Sequence, residues 1–181
     1  MKKILRVFTL LIFLVFISGC GLLLPAKVKM LYPIESEDLY FEDDLIKISF
    51  VFYKNKIYYE IENKSVSELQ INWNNATFAH SSGKTTSLVC FSPDDVYYYS
   101  CYNPFYFSTI LPYGKVKAYM IPYDLLDYEY DSYLGGHWSI EGEIYSEYEK
   151  GVYDVGIKIP VYIKNLGLTK TYNFIFEIEV M

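Results

Sequence analysis

Arginine is almost missing from this chain. Among 181 residues there are 16 basic ones, and Arg6 is the only Arg. Phosphate recognition leans on clustered Lys and on the planar Arg fork, so a nucleic-acid groove has nothing to be built from. Histidine is limited to His80 and His137, and cysteine to Cys20, Cys90 and Cys101. Their spacing matches no Cys-x₂₋₄-Cys or His-x₃₋₅-His metal site. There is no G-x-S-x-G, no H-E-x-x-H and no glycine-rich phosphate loop. The 22 acidic residues offer many carboxylate pairs of the kind glycoside hydrolysis uses, and nothing singles one out. These absences leave no catalytic set, no cofactor site and no metal cage, so the expectation is a protein that is not an enzyme. Helical stripes are lacking too: no window of 11 or more residues beyond the first 25 repeats its apolar residues at helical spacing.

What is abundant is aromatic and apolar. The chain has 21 Tyr, 12 Phe and 2 Trp, and 52% of it is hydrophobic, far from a disordered composition. Tyr, Phe, Ile and Val favour strands. From Ile46 onward the apolar residues alternate with polar ones. Ile46, Ile48, Phe50 and Phe52 share one face and Ile57, Tyr59 and Ile61 another, and Lys54-Asn55 between them predicts a β-hairpin. Ala76–His80 and Thr85–Phe91 flank Ser81-Ser82-Gly83-Lys84 as a second hairpin. Val116–Ile121 reads as a strand, and Trp138–Tyr145 is less regular. Val155 to Ile163 alternates cleanly, with Pro160 predicting an edge strand or a bulge. Lys164-Asn165-Leu166-Gly167 then turns the chain into Tyr172, Phe174, Phe176, Ile178 and Val180. Glu35–Asp44 reads as a solvated acidic loop. Seven to nine such strands in about 150 residues predict an all-β, antiparallel β-sandwich.

The N-terminus is of another kind. Lys2, Lys3 and Arg6 form a positive region, and Val7–Ile17 is apolar but for Thr9. Ile17-Ser18-Gly19-Cys20 then closes the pattern with small residues and a Cys. This stretch resembles the lipobox signal peptide of bacterial lipoprotein precursors. The resemblance implies cleavage between Gly19 and Cys20, a diacylglycerol on the Cys20 thiol, and acylation of the freed amino group by a fatty acid such as palmitate. An uncleaved membrane-spanning helix is the competing reading, because Leu22, Leu23 and Leu24 lengthen the apolar run. Gly19, Gly21 and Pro25 weaken that helix, and it gives Cys20 no role. Gly21, rather than Asp, after the Cys resembles outer-membrane sorting in enteric-type envelopes. With Lys2, Lys3 and Arg6 removed, and no acid among residues 1–19, the net charge falls from −6 to −9. The expected organisation is a signal peptide over 1–19, a lipidated Cys and tether over 20–33, and a β-sandwich domain over 34–181.

The run from Ile57 to Val89, with its hairpin strand ending in Asn63 and its Ile71-Asn72-Trp73 strand, is similar to small bacterial lipoproteins. Pro112–Leu126 and Ile157–Val180 fit the same outline. That resemblance implies an immunoglobulin-like sandwich and carries no activity.

Two features remain as candidate sites. Cys90 and Cys101 are an even pair in an exported chain and read as a disulfide across a hairpin centred on residues 95 and 96, with two free thiols as the alternative. Tyr97, Tyr98, Tyr99, Tyr102, Tyr106 and Phe107 surround them, and aromatic-rich loops at the end of a sandwich bind glycans or peptides. The densest acidic cluster, Asp124, Asp127, Glu129 and Asp131, lacks the spacing of a calcium loop and reads as solvated. The expectation is therefore a cell-envelope lipoprotein, lipid-anchored and facing the extracytoplasmic side. It would act as a non-enzymatic structural or protein-interaction module with an envelope protein as partner, or bind a glycan or peptide through its tyrosines.

Overall fold

A computed structural model describes residues 26–97, 100, 101, 103–131, 135–144 and 150–181. Cys20 and the rest of the signal segment, with Tyr98, Tyr99 and Tyr102, lie outside these residues. Strands are numbered in chain order.

The longest alternating runs build the first face. In β14 (Gly151–Ile163) Val155, Ile157, Ile159, Val161 and Ile163 are buried, and in β15 (Leu168–Val180) so are Tyr172, Phe174, Phe176 and Ile178. Gly167, at φ +63°, takes the left-handed conformation that closes the hairpin between them. The other edge of β15 pairs with β1 (Ala26–Tyr32). The other edge of β14 pairs with β5 (Leu69–Asn72) and β6 (Thr77–Ala79), and β5 in turn pairs with β10 (Phe107–Ile110).

Two expectations are corrected on this face. Residues 26–32 are not tether but a strand, because Ala26 and Met30 bury their side chains in the core, so the folded domain takes in these residues as well as those from 34 onward. Pro160 does not mark an edge. It stands opposite Thr171, in the gap between the pairings to β6 at residues 156–158 and to β5 at 161–163. There the chain makes a single 3₁₀ turn, Trp73–Asn75, between β5 and β6, so a residue without an N–H is tolerated inside the sheet.

The second face contains β2 (Tyr40–Glu42), β3 (Ile46–Phe52), β4 (Ile57–Asn63), β11 (Lys115–Pro122) and β7 (Thr85–Phe91). The expected hairpin pairs Phe52 with Ile57 and Ile46 with Asn63. The acidic stretch before it is not a free loop. β2 pairs with β3, and the Asp43 carboxylate accepts the Leu45 and Ile46 N–H groups, Lys170 Nζ and the Tyr172 hydroxyl at 2.7–3.0 Å. Burial would raise the Asp43 carboxyl. The Ile46 N–H, Lys170, the Leu45 N–H and Tyr172 outweigh it and hold the group below the ordinary aspartate range.

β7 joins the faces. Thr85–Ser87 pairs with β6 and Leu88–Phe91 with β11, so one continuous sheet path supplies both layers of a barrel-like sandwich. An immunoglobulin-like sandwich has two separate sheets. Between the layers Phe50 meets Phe174 and Phe176 edge to face at 4.9 and 5.2 Å, and Phe52 meets Phe176 at 4.8 Å. Trp73, fully buried, donates from Nε1 to Ser108 Oγ at 2.8 Å and packs on Tyr59.

A small second sheet lies outside this body, in the order β12 (Leu126–Asp131), β13 (Gly135–Ile140), β9 (Ser100–Cys101), β8 (Val96–Tyr97). It buries Cys101 and Ile140 against Val89, Phe91 and Ile121. Leu88 and Cys90, of opposite parity, face the main core. β7 is thus covered on both faces at its end, which is why Leu88-Val89-Cys90-Phe91 reads as an unbroken apolar run.

Candidate functional site

The two cysteines are not brought together. Both are buried free thiols. The hairpin expected between them does not form, because Ser92 caps a 3₁₀ turn over Pro93–Asp95 that leads into β8. Cys101 therefore stands opposite Val96, and Cys90 opposite Phe105, whose N–H donates to the Cys90 carbonyl at 2.9 Å. Cys90 lies in the main core beside Tyr59, and burial pushes its thiol well up. Cys101 lies in the small core, where burial pushes it to about 12 against the pull of Lys56. The Lys56 ammonium, itself lowered by burial, sits 4.9 Å from the Tyr119 ring centroid.

Of the tyrosines singled out from sequence, Tyr97 is placed on β8 and Tyr106 precedes β10. Tyr106 is exposed, and its carbonyl accepts the Trp73 N–H at 2.8 Å. The clearest exposed aromatic group is one that the sequence reading passed over. Tyr128 on β12 and Trp138 on β13 are a cross-strand pair with ring centroids 5.2 Å apart, edge to face. Tyr123, on the turn before β12, adds a third ring 6.0 Å from Trp138. Tyr123 and Tyr128 are each more than half exposed, while Trp138 is half-buried against the small core. Gly136 makes this arrangement fit. A Cβ there would fall 1.8 Å from the Tyr128 hydroxyl oxygen, so any larger residue would push the ring aside. Gly135-Gly136 between Tyr128 and Trp138 was the available signal.

The polar groups nearby serve structural pairs. The Asp124 carboxylate lies 2.8 Å from Lys84 Nζ and 3.1 Å from His80 Nε2, the latter without hydrogen-bond alignment. This links the turn before β12 to the β6–β7 hairpin. Burial would raise the Asp124 carboxyl, but the Lys84 hydrogen bond and the charges of His80 and Lys84 hold it below the ordinary range. On β12, Asp127 and Glu129 share the face opposite Tyr128, and Glu129 takes Ser139 Oγ at 3.2 Å with His137 Nε2 at 3.6 Å. The acidic cluster is thus split between a turn and a strand face. Among the described residues no group of three or more His, Cys, Asp or Glu is arranged to hold a metal ion, and no helix is long and apolar enough to cross a membrane.

No protein-family model matches the chain, and neither a curated protein nor a solved structure matches it.

Proposed function

We propose that the chain is a cell-envelope lipoprotein, held on the extracytoplasmic side of a bacterial membrane by acyl chains on Cys20, whose sandwich is a non-enzymatic interaction module. The observation that carries the binding role is the Tyr123–Tyr128–Trp138 group on the small sheet. It places large amphipathic rings at the surface, the side chains most useful at recognition surfaces, where the neighbouring carboxylates and imidazoles are engaged in pairs. The lipobox supports the anchor. Each buried methylene contributes about 0.8 kcal/mol, and two or more chains hold stably where one does not. The partner is an envelope protein. A glycan or peptide bound on the same rings and on Tyr106 is the second reading, favoured by their exposure.

Cys20→Ala tests the anchor. Metabolic fatty-acid label should vanish from the protein and the protein should leave the membrane fraction, while the folded sandwich, whose described strands do not include position 20, is retained. Persistent label would refute it. For the module, photocrosslinking from residue 128 in intact cells should give a discrete protein adduct that competing glycans and peptides do not displace. Displacement by either favours the second reading.

A further inference from the structure

The small sheet ends on an open edge. β12 is its outermost strand, and no described strand pairs with the side turned away from β13. Which backbone groups face that side follows from the ladder. The Glu141 N–H donates to the Leu125 carbonyl at 2.9 Å, and bonded and non-bonded pairs alternate in an antiparallel ribbon. Asp127 and Glu129 therefore bond to β13, while Tyr128 and Tyr130 turn their N–H and C=O groups outward. The Asp127 carboxylate accepts the outward Tyr128 N–H at 2.8 Å.

The two faces of this edge differ. Leu126 and Tyr128 lie on the side of Ile140 and Trp138, so apolar and aromatic side chains run from the small core out to the edge there. Asp127 and Glu129 lie on the other side, both exposed. Charge is segregated around them. No Lys or Arg occurs between Lys117 and Lys150, where eight of the 22 acidic residues fall. Lys84 and Lys54 reach in from other elements to Asp124 and Glu143. Among the described residues Asp127 and Glu129 meet no lysine, and Glu129 has His137 and Ser139.

We propose that β12 receives an extended, lysine-bearing segment of a partner protein as a fifth, antiparallel strand of the four-stranded sheet. Its ammonium groups would meet Asp127 and Glu129, and the alternate, apolar side chains would lie beside Tyr128. This rests on the interaction-module reading above and names the chemistry of the partner. An unpaired strand edge is a template for another strand, and alternate side chains give such an addition its specificity. Like charges directly opposite one another destabilise a strand pair. The two carboxylates therefore turn away a second copy of β12 and favour a strand of opposite sign. The arriving carbonyl takes over the Tyr128 N–H, and the displaced Asp127 carboxylate turns to the incoming ammonium. The lysine-free stretch around the sheet adds attraction at longer range.

The full-length lipidated protein in dodecylmaltoside micelles is titrated with a fluorescein-labelled heptapeptide of alternating Lys and Val, followed by anisotropy. Binding should weaken more than about tenfold between ~0.1 and ~0.5 M NaCl, because exposed charge pairs are screened. Hydrogen exchange of β12 should slow in the complex. In an antiparallel addition the residues bonded to β12 are those opposite Tyr128, which are the Val set. N-methylation at Val should lower affinity more than about tenfold, and N-methylation at Lys, whose N–H groups face away, less than about threefold. Asp127→Asn with Glu129→Gln should lower affinity more than about tenfold, with β14–β15 exchange unchanged. Strand addition is overturned if methylation at Val costs no more than at Lys, or if the peptide leaves β12 exchange unchanged. It is equally overturned if the double variant binds the peptide as the parent does. A peptide that fails to bind while the residue-128 adduct still forms in cells overturns the strand and leaves the module reading standing. Absence of that adduct overturns the module reading and the partner strand with it.

Discussion

The main sandwich and the small sheet bury their apolar residues by different means. The sandwich closes two layers over a core rich in Phe and Ile, and nearly every strand contributes one clean face. Among the described residues the small sheet has no layer of its own to close against. Its buried residues, Cys101 and Ile140, rest on the outward side chains of β7 and β11. One region stands by itself, and the other exists only because the corner of the first exposes Val89, Phe91 and Ile121. The lesson is that a second sheet can be added to a sandwich at the price of a few apolar residues on the outward face of two strands. Each region also holds one cysteine, which makes the difference measurable.

The sharpest way to break the comparison is through the large core. Trp73→Ala removes a fully buried ring and orphans the Ser108 hydroxyl, and should cost about 3–5 kcal/mol. Urea denaturation should show both regions melting together. Ile140→Ala takes its side chain from the small core only and should cost about 2–3 kcal/mol, confined to that sheet. Native hydrogen exchange should then accelerate in β12 and β13 and stay slow in β14 and β15. Equal acceleration in both would show that the two regions are a single cooperative unit.

Asp43→Asn should cost about 1–2 kcal/mol, since charge-assisted hydrogen bonds to Lys170 and two backbone amides weaken. Its sign with pH is set by the direction of the shift. The carboxyl is held lower in the folded chain than in the unfolded one, so its contribution is complete above the ordinary aspartate range and is lost as the pH falls through the lowered native value. The variant should be flatter than the parent across that acidic window when stability is followed by denaturant melts, and Ile140→Ala should not alter that slope. The smallest effect on stability is none at all. Under native conditions an alkylating reagent should modify Cys101 through local opening of the small sheet, well before Cys90, whose reaction waits for global unfolding. Mass spectrometry without reductant should find two free thiols. A 2 Da deficit would mean a bridge, and equal rates would erase the distinction between the regions.

Period-2 alternation made the β3–β4 and β14–β15 hairpins legible, because each of those strands buries one face and its turn carries Asn or Gly, and the Ser81–Lys84 turn with Gly83 marked the β6–β7 hairpin although β7 is covered on both faces at its end. Strands that depend on distant partners were not legible. β1 is flanked by Pro25 and Pro33 and reads as tether until Met30 is seen in the core, and β2 hides in an acidic stretch because Asp43 is consumed in capping. Of the edge or bulge that Pro160 predicted, only the edge fails, since the missing N–H falls at a break in register where two partner strands change over. The cysteine pairing failed on a local one, the capped turn after Ser92. Of the candidate site, the exposure of Tyr106 was legible. The Tyr128–Trp138 pairing was not, because it depends on a β12–β13 register for which Gly135-Gly136 was the one signal, and a glycine pair by itself fixes no register.

The placement of β1 has a mechanical consequence. Ala26 lies at the Val180 end of β15, and β1 runs from there toward the far turns through six paired positions, from Ala26–Val180 to Tyr32–Ile175. A pull on the chain ahead of Ala26, resisted at the Leu166 turn, acts along the strand axis and strains all six positions at once, in shear. The same pull resisted at Met181 acts on the near end of both strands and peels them apart one position at a time. The domain is therefore strong when tension passes through its length and weak when tension is applied between Ala26 and Met181.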